Sequence, residues 1–409
     1  MRFIFSVLLT LCINALSSEV LLLEDGTLYA GKEMKKLTGY DLLIKDGLII
    51  DIGKDLKNVY PQKIDKFIKL EGKIVTPGFI APYSHLGLVE IDMIPETRDD
   101  SSSLYSSGFS ISQAFNPSST LIPHNLNGGI TSAISAPQSR GLFGGLASAF
   151  SLSGEPDSLI KKDIALVASI YTGSESKAAN LQLMEDSISY ARNFNLDNNK
   201  DLKNFMPDGV FFSNRDLISL KRVADRQIPM IIRVDRASDI LYLIEFSKRL
   251  EINIIFTGVS EGWMVADAIS QANIPVIIEP INNLPSSFDK LGSRLENAAL
   301  LNKAGVRLLF KSDNYDTHNA YLSRQGAGIA VSYGLPWIEA IKALSVNIAD
   351  VFKLEGMGVI KIDYQADLII WDQDPLEVTS YPEKVFIEGK LMSSSTRSKQ
   401  LRDRYLNLN

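Results

Sequence analysis

Lys73-Ile74-Val75-Thr76-Pro77-Gly78-Phe79-Ile80-Ala81-Pro82-Tyr83-Ser84-His85-Leu86-Gly87 is the stretch that decides the fold. A Pro-Gly break separates two apolar runs, and the second ends in Tyr83 and His85. These stand two residues apart, so a regular strand presents both on one face. Chemistry-bearing side chains at the C-terminal end of a buried strand are what an α/β barrel places at its mouth.

Downstream, strands and helices alternate. Gly129–Ser135, Ile164–Ile170, Ile228–Val234, Ile252–Phe256, Ile274–Ile278 and Val306–Phe310 are strand candidates rich in apolar residues. A helix with Leu217, Leu220, Val223 and Ala224 on one face precedes Ile228–Val234, and one with Ile240, Leu243 and Ile244, capped by Ser238, follows it. Apolar strands between helices predict a parallel sheet covered on both faces. With the opening strand these make seven. The eighth strand of a closed barrel is expected within Asn180–Phe212, or in distorted form. Arg140-Gly141-Leu142-Phe143-Gly144-Gly145 reads as a tight barrel turn, because it lacks the Gly-Lys-Ser/Thr ending of a phosphate loop.

The two ends of the chain are rich in short strands. Asp46-Gly47 joins two apolar runs in a tight hairpin, Glu71-Gly72 repeats the logic, and Glu388-Gly389 does so near the C-terminus. The expected organisation is a composite β-sandwich of 18–76 and 360–393, a barrel over 77–359, and a C-terminal tail over 394–409.

The chain has 409 residues, a charged fraction of 22% and a formal net charge of -6, which suits one large barrel with a small accessory domain. No basic patch of the kind a nucleic-acid binder carries stands out. Arg2, the mostly apolar Phe3–Leu16 and the small-x-small Ala15-Leu16-Ser17 read as a signal peptide over 1–17. Secretion across one membrane is then expected, into a bacterial periplasm, with no stable membrane span after cleavage. Cys12, the single cysteine, lies in this segment, so the mature chain offers no thiol nucleophile, disulfide or cysteine metal site.

The opening strand resembles the first barrel strand of the amidohydrolase superfamily, roughly V-x-P-G-(F/L)-I-D-x-H-x-H, and looks closest to imidazolonepropionase-related, secreted members. Asn116-Pro117 with Gly128-Gly129-Ile130-Thr131-Ser132 is similar to the N-P…G-V-T-T block, and Asn347-Ile348-Ala349-Asp350 to the N-P-A helix start. Gly358 to Leu368 resembles G-x-I-x-x-G-x-x-A-D-L with Asp363 in place of glycine, and Asp374-Pro375-Leu376-Glu377-Val378 completes the pattern. The resemblance implies an α/β fold, a (β/α)8 TIM-like barrel with a small composite β-sandwich from both termini. It also implies hydrolysis of non-peptide C–N bonds by a divalent metal that activates water.

Most positions that the resemblance assigns to metal ligands are substituted. Its first-strand histidines fall on Tyr83 and His85, its fifth-strand histidine on Arg233, and its sixth near Thr257-Gly258. With His85, His124 and His318 the only histidines, a four-histidine site is impossible. A phenol of pKa about 10 ligates poorly, and a guanidinium cannot ligate at all. Asp313 falls on the family's metal-binding general base. His85 and Asp313 are therefore the candidate catalytic residues and vestigial ligands of at most one weakly held divalent metal, zinc first. Asp235 or His318 would be the third ligand.

Tyr83, Arg233 and His318 are the candidate substrate-binding residues. Arg233 would neutralise Asp313 and orient a carboxylate or phosphate through its fork. His85 reads equally as an acid/base or hydrogen-bonding group, and Asp313 as the ion-pair partner of Lys311 or Arg233. Two functions follow: an amidohydrolase-like enzyme with a degenerate metal site, or an inactive binding or scaffold protein holding a small anionic ligand at the barrel mouth.

Overall fold

The computed structural model describes residues 19–172, 175–195, 212–282, 284–312 and 316–407. The expected signal segment and Asp313 lie outside them. Strands β1 (Val20–Ala30), β2 (Lys35–Lys45), β3 (Leu48–Gly53), β4 (Lys66–Lys69) and β5 (Ile74–Pro77) come from the N-terminal part. They share one sheet with β14 (Leu368–Trp371), β15 (Pro382–Ile387) and β16 (Lys390–Leu391), in the order β16-β15-β14-β5-β1-β2-β3, with β4 also paired to β1. The seam is the antiparallel pairing of β5 with β14.

Asp46 and Gly47 take φ of 52° and 80° to close the β2–β3 hairpin, and Glu388-Gly389 closes β15–β16. Glu71-Gly72 does not close a hairpin. Strands β4 and β5 both run parallel to β1, along successive stretches of it. The backbone amides of Leu70 and Gly72 donate to the Glu24 and Asp25 carbonyls at 2.8 Å each, so the turn is held along β1 and cannot fold back.

Asp367, buried at the start of β14, accepts from the Glu388 amide at 2.8 Å. Burial pushes its carboxyl from the ordinary 3.8 to about 7. The folded state then binds a proton that the unfolded state has released. This contribution is fully present below about pH 4 and is lost as the pH rises towards about 7. Asp367→Asn keeps the acceptor and removes the titration. Thermal melts across this range are expected to show a flatter pH dependence than wild type, and an unchanged slope would refute the assignment.

The second sheet builds the barrel from β6 (Phe79–Ser84), β7 (Ile130–Ser135), β8 (Phe143–Ser151), β9 (Leu159–Ser169), β10 (Met230–Val234), β11 (Ile254–Gly258), β12 (Val276–Ile278) and β13 (Leu308–Phe310). Hydrogen bonding runs from β13 to β6 in order, and these two end strands approach within 8 Å. The strand missing from the sequence reading is β8. It lies where a tight turn was expected, and it runs antiparallel to both β7 and β9; of the stretch Asn180–Phe212, residues 196–211 lie outside the described ones. The regular (β/α)8 alternation is therefore broken once. Gly145 shows why the strand needs its glycines: its φ is 122°, and a Cβ would meet the Phe109 carbonyl at 2.5 Å.

The helix Asn214–Ala224 buries Leu217, Leu220, Val223 and Ala224, and opens on a Ser213/Asp216 capping box. The next helix, Ala237–Arg249, starts before Ser238, so Ser238 is not its cap. Glu261 accepts from the Ala237 amide instead, at 3.0 Å.

Strand alternation sorts the barrel residues into two cores. Val167, Ile231, Ile255, Ile277 and Leu309 pack with Ile80 and Ile134 inside the barrel. Their neighbours Ala168, Ile232, Phe256, Ile278 and Phe310 face the helices. The inner layer is an apolar plug, and it separates the two ends of the barrel.

Candidate functional site

Two residues beyond Val167, Ile231, Ile255, Ile277 and Leu309, the inward position turns polar: Ser169, Arg233, Thr257, Glu279 and Lys311. All five line a cavity of about 330 Å³ at the C-terminal ends of the strands, together with Tyr83 and His85. Continuing the alternation from inward Ile80 would bring Pro82 and Ser84 inside. The register shift between Ala81 and Ser84 turns Tyr83 and His85 inward in their place.

The Lys311 ammonium forms an ion pair with Glu279, each side chain only 10% and 9% exposed. Asn282 donates to the same carboxylate, and the ammonium lies 5.6 Å from the Tyr83 ring centroid. Arg233 is half-exposed, with Nε 3.9 Å from Asp235. Lys290 lies at the same distance from that carboxylate. Asp235 is buried behind the cavity and accepts from the Ser260 hydroxyl at 2.6 Å. Arg233, Lys290 and Lys311 thus bring three positive charges to the cavity lining.

His85 Nδ1 lies 2.8 Å from the Ala136 carbonyl. A carbonyl can only accept, so Nδ1 carries the proton and Nε2 of the neutral ring is an acceptor. Asp100, fully buried and held by Arg98 at 2.7 and 3.3 Å, stands 3.9 Å from Nδ1. At the rim, the Tyr171 hydroxyl donates to Asp239 at 3.2 Å. Burial, then the charge of Asp239, push its phenol well above the ordinary value. Tyr171 is thus neutral, with its one O–H already given to Asp239.

The described residues do not fit a divalent metal here. His85 is the one imidazole, Glu279 is engaged by an ammonium, and Arg233 and Lys311 would repel a dication. Among the described residues no three His, Cys, Asp or Glu side chains converge.

Of the residues expected at the site, the structure brings Tyr83, His85 and Arg233 together. It does not bring His318 there. His318 sits in the short helix Asp316–Asn319, which Asn125 ties to the helix Leu121–Leu126 through the Thr317 carbonyl at 3.1 Å. Burial, and then the neighbouring His318, hold His124 below its ordinary value. His318 is thus not among the residues that line the cavity. Glu279 and Lys290 were missed. Glu279 carried a usable signal, a single charge at the inward position after Ile277.

Gly258, in the Thr257-Gly258 stretch near which the resemblance puts a sixth-strand histidine, lines the cavity with φ of 95°. A Cβ there would meet Asp235 Oδ1 at 2.7 Å and the Val234 carbonyl at 3.2 Å. The backbone that supports Asp235 is thus incompatible with a side chain at this point.

Comparison with known proteins gives the class that this fold and mouth define. The family model described as Amidohydrolase family matches residues 74–392, and the chain belongs to that family. "Amidohydrolase tasK" of Hapsidospora irregularis is 31% identical over 91 residues, which is 22% of this chain and 9% of that protein. The chain thus matches under a tenth of that relative's length. Among solved structures, an amidohydrolase from Thermotoga maritima MSB8 shares the fold with a TM-score of 0.80 and 22% identity, covering 91% of this chain and 99% of that one. A molinate hydrolase aligns with a TM-score of 0.56 and 15% identity, over 92% and 95% of the two chains.

Proposed function

We propose that the barrel mouth binds a small anionic ligand, a carboxylate or phosphate, in place of the metal chemistry its family generally uses. The observation that carries this reading is the convergence of Arg233, Lys290 and Lys311 on one cavity. Lys311 and Glu279 set a fixed polar floor. Arg233 and Lys290 are positioned to take the anionic group, Arg233 through its fork. Tyr171 and His85 are positioned for neutral polar groups on the rest of the ligand. We also read the terminal sheet as the family's composite β-sandwich, and residues 1–17 as the signal that takes the protein across a membrane.

The test is calorimetric titration with small dicarboxylates and inorganic phosphate. Arg233→Ala is expected to weaken binding by about tenfold to a hundredfold, the range of a charged hydrogen bond. Its stability is expected to stay unchanged, since the side chain is 52% exposed. Binding unaffected by the substitution would remove Arg233 from the site.

A second reading, hydrolysis of a non-peptide C–N bond, is favoured by family membership and by the acceptor Nε2 of His85. Turnover of N-acyl or cyclic amide substrates that disappears in His85→Gln would support it over the first.

A further inference from the structure

The opposite end of the barrel carries a larger cavity. It is a half-open groove of about 600 Å³ at the N-terminal ends of β9 to β13, lined by seven cationic side chains and three carboxylates. The whole chain is acidic, with a net charge of -6, so this is a local reversal. Asp350 is engaged by Lys32 at 2.6 Å, while Asp163 accepts from the Ser110 hydroxyl at 2.5 Å and also offsets Lys162 at 4.0 Å, which leaves six groove cations and Glu251. Arg307 stands two residues before Leu309 and so faces the same interior as the plug, from below. Arg222 is anchored by one donor to the Asp163 carbonyl at 2.8 Å.

The backbone adds an independent observation. The helix Asn297–Lys303 reaches β13 through Gly305 with φ of 87°, the usual glycine solution at a helix end. The helices before β10, β11 and β12 lead instead into Arg226, Glu251 and Asn273, with φ of 58°, 51° and 52°. Lys353 ends the helix Val346–Phe352 in the same way, with φ of 53°. All four line this groove. Side chains are therefore kept, against backbone preference, where they reach it. Strain of this kind concentrates at functional sites.

We propose that the groove is a second binding site, for a compact soluble polyanion carrying two or more phosphoryl groups. Arg226, Arg307 and Lys353 take the phosphoryl oxygens. Arg222 and Lys161 are held in place as supports, Lys161 by the carbonyls of Phe352 and Lys353. The apolar plug makes this site independent of the mouth.

The test is calorimetric titration of the full chain with tripolyphosphate at fixed ionic strength. Wild type is expected to bind saturably at one site. The double variant Arg226→Gly/Lys353→Gly suits its backbone, so its melting temperature should be at or above that of wild type. Its affinity, and that of Arg307→Met, should each fall by at least about tenfold. Arg233→Ala at the mouth should bind tripolyphosphate as wild type does. No saturable binding would overturn the proposal, as would affinity of the double variant within about twofold of wild type. So would loss of binding in Arg233→Ala. Co-sedimentation with phosphatidic acid vesicles, without binding of tripolyphosphate, would assign the groove to a lipid headgroup and also overturn it.

Discussion

Lys311→Met is expected to destabilise the protein by about 3–5 kcal/mol, the usual effect of removing one member of a buried ion pair. Lys311 and Glu279 are each about one-tenth exposed, inside a barrel whose next inward layer is entirely apolar. Methionine nearly matches the length of the lysine stem, so it leaves little empty space. The loss therefore reports the charge left on Glu279, not a cavity. Urea denaturation measures it. Glu279→Gln added to Lys311→Met should recover most of the loss, because the uncompensated charge goes with it. Additive losses would show that the two side chains do not act as a pair. The single variant should also weaken anion binding at the mouth, since it leaves the negative charge of Glu279 uncompensated on the cavity floor.

Gly258→His restores the residue type that the family resemblance associates with this stretch, and it is expected to cost at least about 3 kcal/mol. At φ of 95° an L residue is strained whatever the space, and the added Cβ would meet Asp235 at 2.7 Å. Asp235 cannot move cheaply, because the Ser260 hydroxyl and amide both donate to it, at 2.6 and 3.3 Å. The variant should show a lower urea midpoint and no gain in zinc affinity. A variant as stable as wild type, or one that binds zinc, would mean that the backbone here relaxes to accept a ligand. The account of the mouth would then need revision.

Much of this was legible in the sequence for a simple reason. Barrel strands buried on both faces leave apolar runs, and every run expected to be a parallel barrel strand appears as one, with ends shifted by a few residues. The Asp46-Gly47 and Glu388-Gly389 turns were legible because positive φ restricts residue choice. Strand β8 was not. Phe143-Gly144-Gly145-Leu146-Ala147-Ser148-Ala149-Phe150 contains no β-branched residue, and its glycines read as a turn. It is a strand because β7 and β9 pair with both its edges, which no local pattern records. Tyr83 and His85 were legible as a same-face pair at a strand end, and Arg233 only through the resemblance, which puts the fifth-strand histidine there; the register shift that turns Tyr83 and His85 inward was not legible. The same alternation reaches Glu279 from Ile277, but a lone charge after an apolar run looks like any strand terminus. Lys290 comes from a loop, with no periodicity to mark it. His318 looked like a mouth residue because it follows the last barrel strand closely. The hydrogen bond from Asn125 to the Thr317 carbonyl, which ties its helix to Leu121–Leu126, depends on a contact across the fold.

The central claim is that side-chain cations, not a metal, provide the positive charge at this barrel mouth. The most direct measurement is the metal content of the purified full chain after equilibration with zinc, manganese and iron, alongside His85→Ala. The account predicts well under one metal per chain, the same in both proteins. One metal per wild-type chain, lost in His85→Ala, would contradict it.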